Sequence, residues 1–399
     1  MEFMLQTPTE NGARLAAIMP TALSLLEAEP GVGEGSAIDC VIVIVADGLG
    51  WHNLRANAGY ARTLSKLTSE RVSTVFPSTT GAALTAITTG TLPGQHGLVG
   101  YRIMHPELGL RTTLTEWQGI EQVRDWQLQP TVFERASEAG VAAHVIGRAA
   151  HETGGLTSAI LTGAAYVAED AMEARFDRAI ELAFGEGSRL VYLYVDELDR
   201  AGHERGAASD AWVEQLERLD SQVAGLLRRV PGNTGILMTA DHGMVDVNAE
   251  AHIEITAGDE VLEGVSAVGG EPRLRYWYLE DDARAEEIAE RARSFFGERA
   301  SVATRQEAVH AGWFGRVAPE VEQRIGDVVI AALGETAIYG AEDSPASRRM
   351  VGQHGSISEI ERDVPLLMAG AIPSEAFLEA IERNARSIGA VRKPRKKRH

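Results

Sequence analysis

Short runs of apolar, largely β-branched residues alternate along this chain with longer stretches of helical periodicity. In Asp210–Val230, apolar residues recur three and four positions apart, and the stretch ends at Pro231 and Gly232, a helix stop signal. The clearest apolar runs are Val41–Gly48, Ala142–Gly147, Arg189–Glu197, Gly235–Gly243 and Asp363–Gly370. This alternation predicts an α/β fold with a mainly parallel central sheet and helices on both faces.

The pattern changes between Gly243 and Met350. The sequence predicts strands at Glu271–Glu280 and Gly326–Gly334, with a helix between them at Asp281–Gly297. We therefore predict an inserted α+β cap at 245–350, within a catalytic core made of 1–244 and 351–390. Such inserts over a sheet edge commonly set substrate choice. The basic segment 391–399 is predicted to be a disordered tail.

Composition and charge narrow the class of protein. The chain has 399 residues, 44% of them hydrophobic, and a formal net charge of −19, which disfavours binding to a nucleic-acid polymer. Its apolar runs are too short to span a membrane, and the first twenty residues lack a signal-like apolar segment. We expect a cytoplasmic enzyme without membrane association, with a two-fold dimer as the default assembly. Cys40 is the only cysteine, so neither an intramolecular disulfide nor a thiolate metal cluster is available.

Carboxylates and histidines follow several of the predicted strands. Asp47 ends one run, Asp241 and His242 end another, and Asp199 and His203 follow a third with a spacing of four residues. The functional crevice of such sheets lies at the carboxyl ends of the strands. A single aspartate there is more often a helix cap, but three such positions together predict one shared metal site. The i,i+4 spacing places Asp199 and His203 on one side of a helical turn, where both can reach one cation.

His354 lies between glycines in "GQHGS", just before the last predicted strand. A lone loop histidine is usually solvated, so its role depends on the other candidate ligands. Mixed histidine and aspartate ligation favours Zn²⁺ over Mg²⁺ or Ca²⁺, with Mn²⁺ or Fe as alternatives.

The stretch "TVFPSTTGAALTAITTG" places Ser78, Thr79 and Thr80 immediately before Gly81 and a predicted helix. Hydroxyl residues at a helix start are ordinary caps. They can equally present a nucleophile in the field of the helix N-terminus. The residues alone leave both interpretations open.

Six blocks in a fixed order resemble a known family. They are "DG" at Asp47, "FPSTT" at Phe76–Thr80, "TTGTLPGQHG" at Thr88–Gly97, "DELDRAGHERG" at Asp196–Gly206, "ADHGM" at Ala240–Met244 and "GQHG" at Gly352–Gly355. In this order they resemble the nucleotide pyrophosphatase/phosphodiesterase branch of the alkaline phosphatase superfamily. The resemblance runs from about Val41 to Gly355 and implies an alkaline-phosphatase-like three-layer sandwich.

The resemblance also implies a two-zinc site and a covalent mechanism. Asp199, His203 and His354 would hold one zinc, and the second would be held by Asp47, Asp241 and His242 together with the oxygen of Thr80. Thr80 would be the nucleophile that forms a phospho-threonine intermediate. Ser78 and Thr79 would then be turn and cap residues, and the backbone N–H of Gly81 would face the phosphorus group.

Two positions depart from the family pattern. Ala83 stands where the family has a phosphate-binding asparagine, and "GYRIM" offers Tyr101 and Arg102 where a substrate loop commonly has asparagine. Tyr101 or Arg102 is expected to reach a small phosphate-containing substrate, with a role at the surface or behind the substrate-contacting residues as the alternative. His96 is interpreted as a structural loop histidine. His151 is interpreted as a loop histidine, with lining of the pocket as the alternative.

The predicted function is therefore a zinc-dependent hydrolase of phosphodiester or related bonds, most specifically a phosphodiesterase or nucleotide pyrophosphatase. The enzymatic alternatives are a phosphonate hydrolase similar to phosphonoacetate hydrolase and a phosphomonoesterase. An inactive metal-binding homologue is the alternative from a different class.

Overall fold

The structure, a computed structural model, describes residues 11–27 and 38–389 of the chain. The predicted basic tail lies outside these residues. Over the two described ranges, no helix combines the length and apolar character needed to cross a membrane.

The elements follow one another as strands and helices of very different length. The strands are β1 (Cys40–Ala46), β2 (Thr68–Ser73), β3 (Arg102–His105), β4 (Gly109–Thr112), β5 (Ala142–Gly147), β6 (Ala165–Ala168), β7 (Arg189–Val195), β8 (Thr234–Thr239), β9 (Val245–Asp246), β10 (His252–Glu254), β11 (Val265–Glu271), β12 (Leu274–Leu279), β13 (Ala300–Thr304), β14 (Val328–Ala332), β15 (Ala337–Tyr339), β16 (Gly352–Gln353) and β17 (Asp363–Gly370). The helices are α1 (Ala13–Glu27), α2 (Trp51–Ala56), α3 (Thr80–Thr89), α4 (Pro93–His96), α5 (Val123–Trp126), α6 (Val132–Glu138), α7 (Gly155–Ile160), α8 (Met172–Ala183), α9 (Glu197–Arg205), α10 (Asp210–Arg229), α11 (Ala285–Phe296), α12 (Arg305–His310), α13 (Pro319–Glu322), α14 (Glu359–Arg362) and α15 (Ser374–Gly389).

A seven-stranded sheet forms the centre of the molecule, in the order β2-β17-β8-β1-β7-β5-β6. The strands from β8 to β6 are parallel, so the prediction of a mainly parallel sheet is confirmed. Every residue of β1 is buried, as expected where helices cover both faces of a parallel sheet. Helix α1 packs against α3 and α15, and helix α8 packs against β7 and α10.

The last strand runs against its neighbours. β17 is antiparallel to both β8 and β2. The apolar content of Asp363–Gly370 predicted a strand but carried no information about its direction, because direction follows from the end at which the chain enters the sheet. As a result, the amino end of β17 lies at the same edge as the carboxyl end of β8.

Segment 245–350 carries a second sheet, in the antiparallel order β11-β12-β14-β13. Its two ends meet where β9 pairs with β16, through Val245 opposite Gln353 and Asp246 opposite Gly352. The division into a core and an inserted cap at these boundaries stays a prediction.

The two faces of this second sheet belong to different apolar clusters. On one face, Trp277, Val328 and Ile330 pack with α11 in a separate core. On the other face, Tyr276 and Val329 join the apolar core of the central sheet. Because successive side chains of β12 and β14 point to opposite faces of the sheet, this segment packs directly against the rest of the molecule.

Candidate active site

The carboxylate-bearing loops meet at one edge of the central sheet. Asp47 directly follows β1 and Asp241 lies two residues after β8, while Asp199 lies in the first turn of α9, just after β7. Because β1, β7 and β8 are parallel, their carboxyl ends lie side by side. The antiparallel direction of β17 brings the preceding loop, with His354, to the same edge.

Three histidines of this edge share one hydrogen-bonding pattern. The Nδ1 atoms of His203, His242 and His354 lie 2.8, 3.1 and 3.0 Å from the backbone carbonyl oxygens of Gly352, Gly243 and Ser78, respectively. A carbonyl only accepts, so each Nδ1 must donate its proton. Each Nε2 of a neutral ring is then left with a lone pair directed away from the backbone, as in a metal-ligating histidine.

The Nε2 atom of His242 faces several groups at once. It lies 3.2 Å from Thr80 Oγ1, 3.2 Å from Asp47 Oδ1 and 3.4 Å from Asp241 Oδ2. One ring nitrogen carries at most one proton and cannot hydrogen-bond to all three. Ligands bound to one zinc at about 2.0–2.1 Å have a similar mutual separation, roughly 3.3 Å in a tetrahedron. The arrangement is therefore that of atoms surrounding a cation.

Among the predicted ligands, two groups have ligand atoms within 4.8 Å of one another. One consists of Asp199, His242 and His354, and the other of Asp47, Asp241 and His242. His203 belongs to neither group, although its Nε2 lies 3.3 Å from Asp199 Oδ1. The structure thus brings all the predicted ligands together but places His242 in both groups. The predicted assignment of ligands to one ion or the other stays a prediction.

Buried carboxylate oxygens at this edge lack hydrogen-bond donors. Within the described residues, Asp47 Oδ1, Asp199 Oδ1 and Asp241 Oδ2 accept no hydrogen bond of good geometry. Burial, followed by the charge of Asp47, raises the pKa of Asp199 and of Asp241 well above the usual aspartate value. Carboxylates in this state are stabilised by a bound cation, so the residues fit a metal site.

The same charges act on the histidines. Burial alone would lower the pKa of His242, but the charges of Asp241 and Asp47 raise it to about 10. Burial acts to raise the pKa of Asp47, yet the hydrogen bond and charge of His242 outweigh it and lower that pKa. Burial and the charge of His242 hold the pKa of His354 well below its usual value. The carboxylates therefore require positive charge beside them, and His354 is held neutral as a ligand must be.

Thr80 is the first residue of α3, and Thr79 occupies the N-cap position with an extended backbone. The Thr79 side chain does not cap the helix, contrary to the prediction of a cap role. Its hydroxyl donates instead to Glu271 Oε2 at 3.2 Å. Ser78 Oγ donates to the Ser356 carbonyl at 2.8 Å. The turn before Thr80 therefore contacts residues from distant parts of the chain.

The sequence did not predict a role for Glu271 at the site. It is the last residue of β11 and is buried, and burial raises the pKa of its carboxyl to about 8. Its other oxygen, Oε1, has no hydrogen-bond partner among the described residues. No local pattern could have shown this contact, because Thr79 and Glu271 are 192 positions apart.

Tyr194 and His151 also lie at the site, and the sequence indicated no role for Tyr194. The Tyr194 hydroxyl donates to Asp47 Oδ2 and so orients that carboxylate. His151, for which the sequence offered a loop role with pocket lining as the alternative, lines a cavity of about 390 Å³ that also includes Thr80. The cavity wall is apolar except for hydroxyl, imidazole and backbone groups, and no aspartate, glutamate, lysine or arginine lines it. Its polar side chains include Thr115, Thr157, Tyr166, Tyr192 and Tyr194.

The remaining predicted residues lie around the start of α3. Gly81 packs so closely on Thr113 that a Cβ atom would lie 2.5 Å from Thr113 Oγ1. Ala83 is fully buried. Tyr101 and Arg102 are partly buried and are not among the residues lining the cavity with Thr80. Their predicted contact with substrate stays a prediction.

Comparisons with known proteins identify a family and a fold. A family model described as type I phosphodiesterase / nucleotide pyrophosphatase matches residues 41–357. No curated protein matches the chain.

Solved structures share the fold at low sequence identity. The murine ectonucleotide pyrophosphatase/phosphodiesterase 5 has a TM-score of 0.64 and 18% identity, over 82% of this chain and 87% of that one. An inactive threonine-to-alanine variant of the murine protein, in complex with AMP, has the same score and identity, over 83% and 88%. Phosphonoacetate hydrolase from Sinorhizobium meliloti, in complex with phosphonoformate, has a TM-score of 0.62 and 19% identity, over 86% and 95%.

Proposed function

The chain belongs to the type I phosphodiesterase / nucleotide pyrophosphatase family, and from this membership we propose that it is a phosphodiesterase with Thr80 as nucleophile at a two-zinc site. A hydrolase of phosphodiester or related bonds is what the family and the structural neighbours support in common. The observation that carries the finer proposal is the position of Thr80 Oγ1, 3.2 Å from His242 Nε2 within the candidate ligand cluster.

The candidate ligands would hold two cations beside Thr80. They are Asp47, Asp199, His203, Asp241, His242 and His354, and their mixed carboxylate and imidazole donors suit zinc, with manganese or iron as alternatives. When bound, such ions supply Lewis acidity that makes a threonine hydroxyl nucleophilic and stabilises a departing alkoxide.

The protein's own residues would orient and carry the reaction. Thr80 Oγ attacks phosphorus, the bond from phosphorus to one ester oxygen breaks, and the departing alkoxide takes a proton from solvent. The proton of Thr80 passes to solvent. Water then hydrolyses the phospho-threonine and restores the hydroxyl. Because Thr79 does not cap α3, the first backbone N–H groups of the helix are free of that side chain and can receive the phosphoryl oxygens.

The cavity beside Thr80 favours an ester with an uncharged organic group. Its apolar wall and hydroxyl groups suit an organic ester group that is aromatic or similarly apolar and carries a few hydrogen-bonding atoms. Phosphonoacetate carries a carboxylate, which calls for a cationic partner, and no arginine or lysine lines this cavity. The AMP complex of the murine neighbour is consistent with an organic group of this kind.

The decisive experiment compares three substrates on zinc-loaded protein: bis-p-nitrophenyl phosphate, p-nitrophenyl phosphate and phosphonoacetate. We expect the diester to have the highest kcat/KM. Thr80→Ala is expected to lower kcat by about a thousandfold or more, because it removes the nucleophile. Thr68→Ala, an exposed threonine of the edge strand β2, is the matched control.

Each other outcome points to one alternative. Fastest turnover of phosphonoacetate would establish the phosphonate hydrolase, and fastest turnover of the monoester the phosphomonoesterase. Full activity of Thr80→Ala would overturn the mechanism. Inactivity of the loaded wild-type protein on all three would favour an inactive homologue.

A further inference from the structure

The start of α3 differs from other helix starts in the same molecule that follow a threonine. Thr131 and Thr304 each precede a helix, and each hydroxyl accepts a hydrogen bond from a backbone N–H of the first turn. This is the usual behaviour of a threonine at an N-cap. Thr79 has the same extended backbone, with φ −121° and ψ 144°, yet its hydroxyl makes no such bond.

The hydroxyl of Thr79 is held by Glu271 instead. Thr79 Oγ1 donates to Glu271 Oε2 at 3.2 Å, and both side chains are buried. A carboxyl oxygen accepts from a hydroxyl in either protonation state. This contact can therefore replace a cap bond to the helix backbone whether or not Glu271 is ionised.

Glu271 is itself held in place by the hairpin of β11 and β12. At the tip of the hairpin, Arg273 forms two hydrogen bonds with the carboxylate of Glu361, at 3.0 and 2.7 Å. On the opposite side, the Glu271 carboxyl packs on the backbone of Gly355, where a Cβ atom would lie 2.6 Å from its carboxyl carbon. Glu271 thus enters the site from segment 245–350, between the turn of Thr79 and the loop of His354.

We propose that Glu271 is a positioning residue that draws the Thr79 hydroxyl away from the first turn of α3, so that the backbone N–H groups of that turn stay free for the phosphoryl group attacked by Thr80. The inference rests on the proposed function, because it assigns a purpose to those N–H groups. Without Glu271, the Thr79 hydroxyl turns to its own helix and occupies a backbone N–H group that the substrate needs. Segment 245–350, which carries Glu271, thereby keeps the first-turn N–H groups of α3 available to the substrate.

The test uses a set of four variants of the metal-loaded protein with bis-p-nitrophenyl phosphate. Glu271→Ala is expected to lower kcat/KM about tenfold or more, whereas Glu271→Gln, which keeps an acceptor of the same shape, stays within about threefold of wild type. Thr79→Val can neither cap nor donate, so it is also expected to stay within about threefold. Combined with Glu271→Ala, it should restore most of the lost activity.

Two outcomes overturn the inference. One is a Glu271→Ala variant within twofold of wild type. The other is a double variant as impaired as Glu271→Ala, since the loss would then come from the cavity and not from capping. If Glu271→Ala does not fold, a tenfold loss in Thr79→Val alone overturns it.

A crystal structure of Glu271→Ala gives a readout that does not depend on turnover. We expect Thr79 Oγ1 within hydrogen-bond distance of the Gly81 or Ala82 backbone N–H. An unchanged Thr79 rotamer overturns the inference. Failure of the proposed function is recognised separately, as wild-type protein without turnover or Thr80→Ala with full turnover.

Discussion

At the scale of single residues, the two oxygens of the Asp241 carboxyl have different surroundings. It is fully buried, and its Oδ2 accepts no hydrogen bond from the described residues. Its Oδ1 receives the backbone N–H of Gly48 at 3.2 Å and of His242 at 3.0 Å. One oxygen is therefore satisfied by the fold, and the other is left for a cation.

Asp241→Asn is expected to weaken zinc binding by about 100-fold, because it removes a ligand charge and keeps the shape of the side chain. The metal-free variant should be at least as stable as metal-free wild type, because it removes a carboxyl whose raised pKa in the folded state lowers stability at neutral pH. Calorimetric zinc titration and thermal unfolding of both forms measure these effects. Asp177→Asn, on an exposed surface pair with Arg229, is the control. Unchanged zinc affinity would exclude Asp241 as a ligand.

The Thr79 hydroxyl shows at the same scale how a local rule can be overridden. Its position just before α3 predicted a cap, and the backbone conformation is that of a cap residue. The acceptor that wins, Glu271, lies far away in sequence. Only the folded arrangement reveals which of two possible hydrogen bonds is made.

At the scale of elements, the hairpin of β11 and β12 depends on one buried ion pair. Arg273 and Glu361 are both fully buried, with Nη2 and Oε2 2.7 Å apart. Arg273 also donates to the Gly334 carbonyl at 2.8 Å, and Glu361 Oε1 accepts from the Ser356 backbone N–H at 3.0 Å. The pair therefore joins the second sheet to the loop that carries His354.

Arg273→Met is expected to reduce the free energy of unfolding by about 3–5 kcal/mol, because it leaves the Glu361 charge buried without its partner. Urea denaturation of the metal-free protein measures the change. Arg284→Met breaks an exposed pair with Glu287 and should leave stability nearly unchanged. Equal effects of the two substitutions would show that burial does not determine the contribution of these pairs.

At the scale of the whole molecule, segment 245–350 is not an independent unit in its packing. Tyr276 and Val329 contribute to the apolar core of the central sheet, while Trp277 and Val328 contribute to the core under α11. The two cores are the opposite faces of one four-stranded sheet. Loss of either core exposes one face of that sheet.

We therefore expect one cooperative unfolding transition for the metal-free protein. ¹⁹F NMR of fluorotryptophan-labelled protein separates Trp212 of α10 from Trp277 of β12, and their midpoints should agree within about 2 °C. The signals are assigned with Trp212→Phe and Trp277→Phe variants. Two transitions well separated in temperature would show that segment 245–350 unfolds by itself.

The sequence by itself determined five of the seven strands of the central sheet, all except β2 and β6, together with the α/β class and the identity of the candidate ligands. Apolar runs that are buried on both faces differ from amphipathic helices within a few residues, and Asp199 and His203 share a helical turn whatever the rest of the chain does. These features depend on residues that are close together in the chain, so they can be recognised from the sequence alone. The ordered blocks from Asp47 to His354 indicated the family for the same reason.

Only the tertiary structure decided the direction of β17, the entry of Glu271 beside Thr79, and the uncharged cavity that contains His151. Each depends on contacts between residues far apart in the chain, which leave no local periodicity or spacing. The shared position of His242 between two ligand groups is also a property of the fold, since it follows from how three strand ends and one returning loop converge. The candidate ligands and Thr80 could be predicted because they lie in short sequence blocks. The contacts that position them join residues far apart in the chain, so the sequence alone did not reveal them.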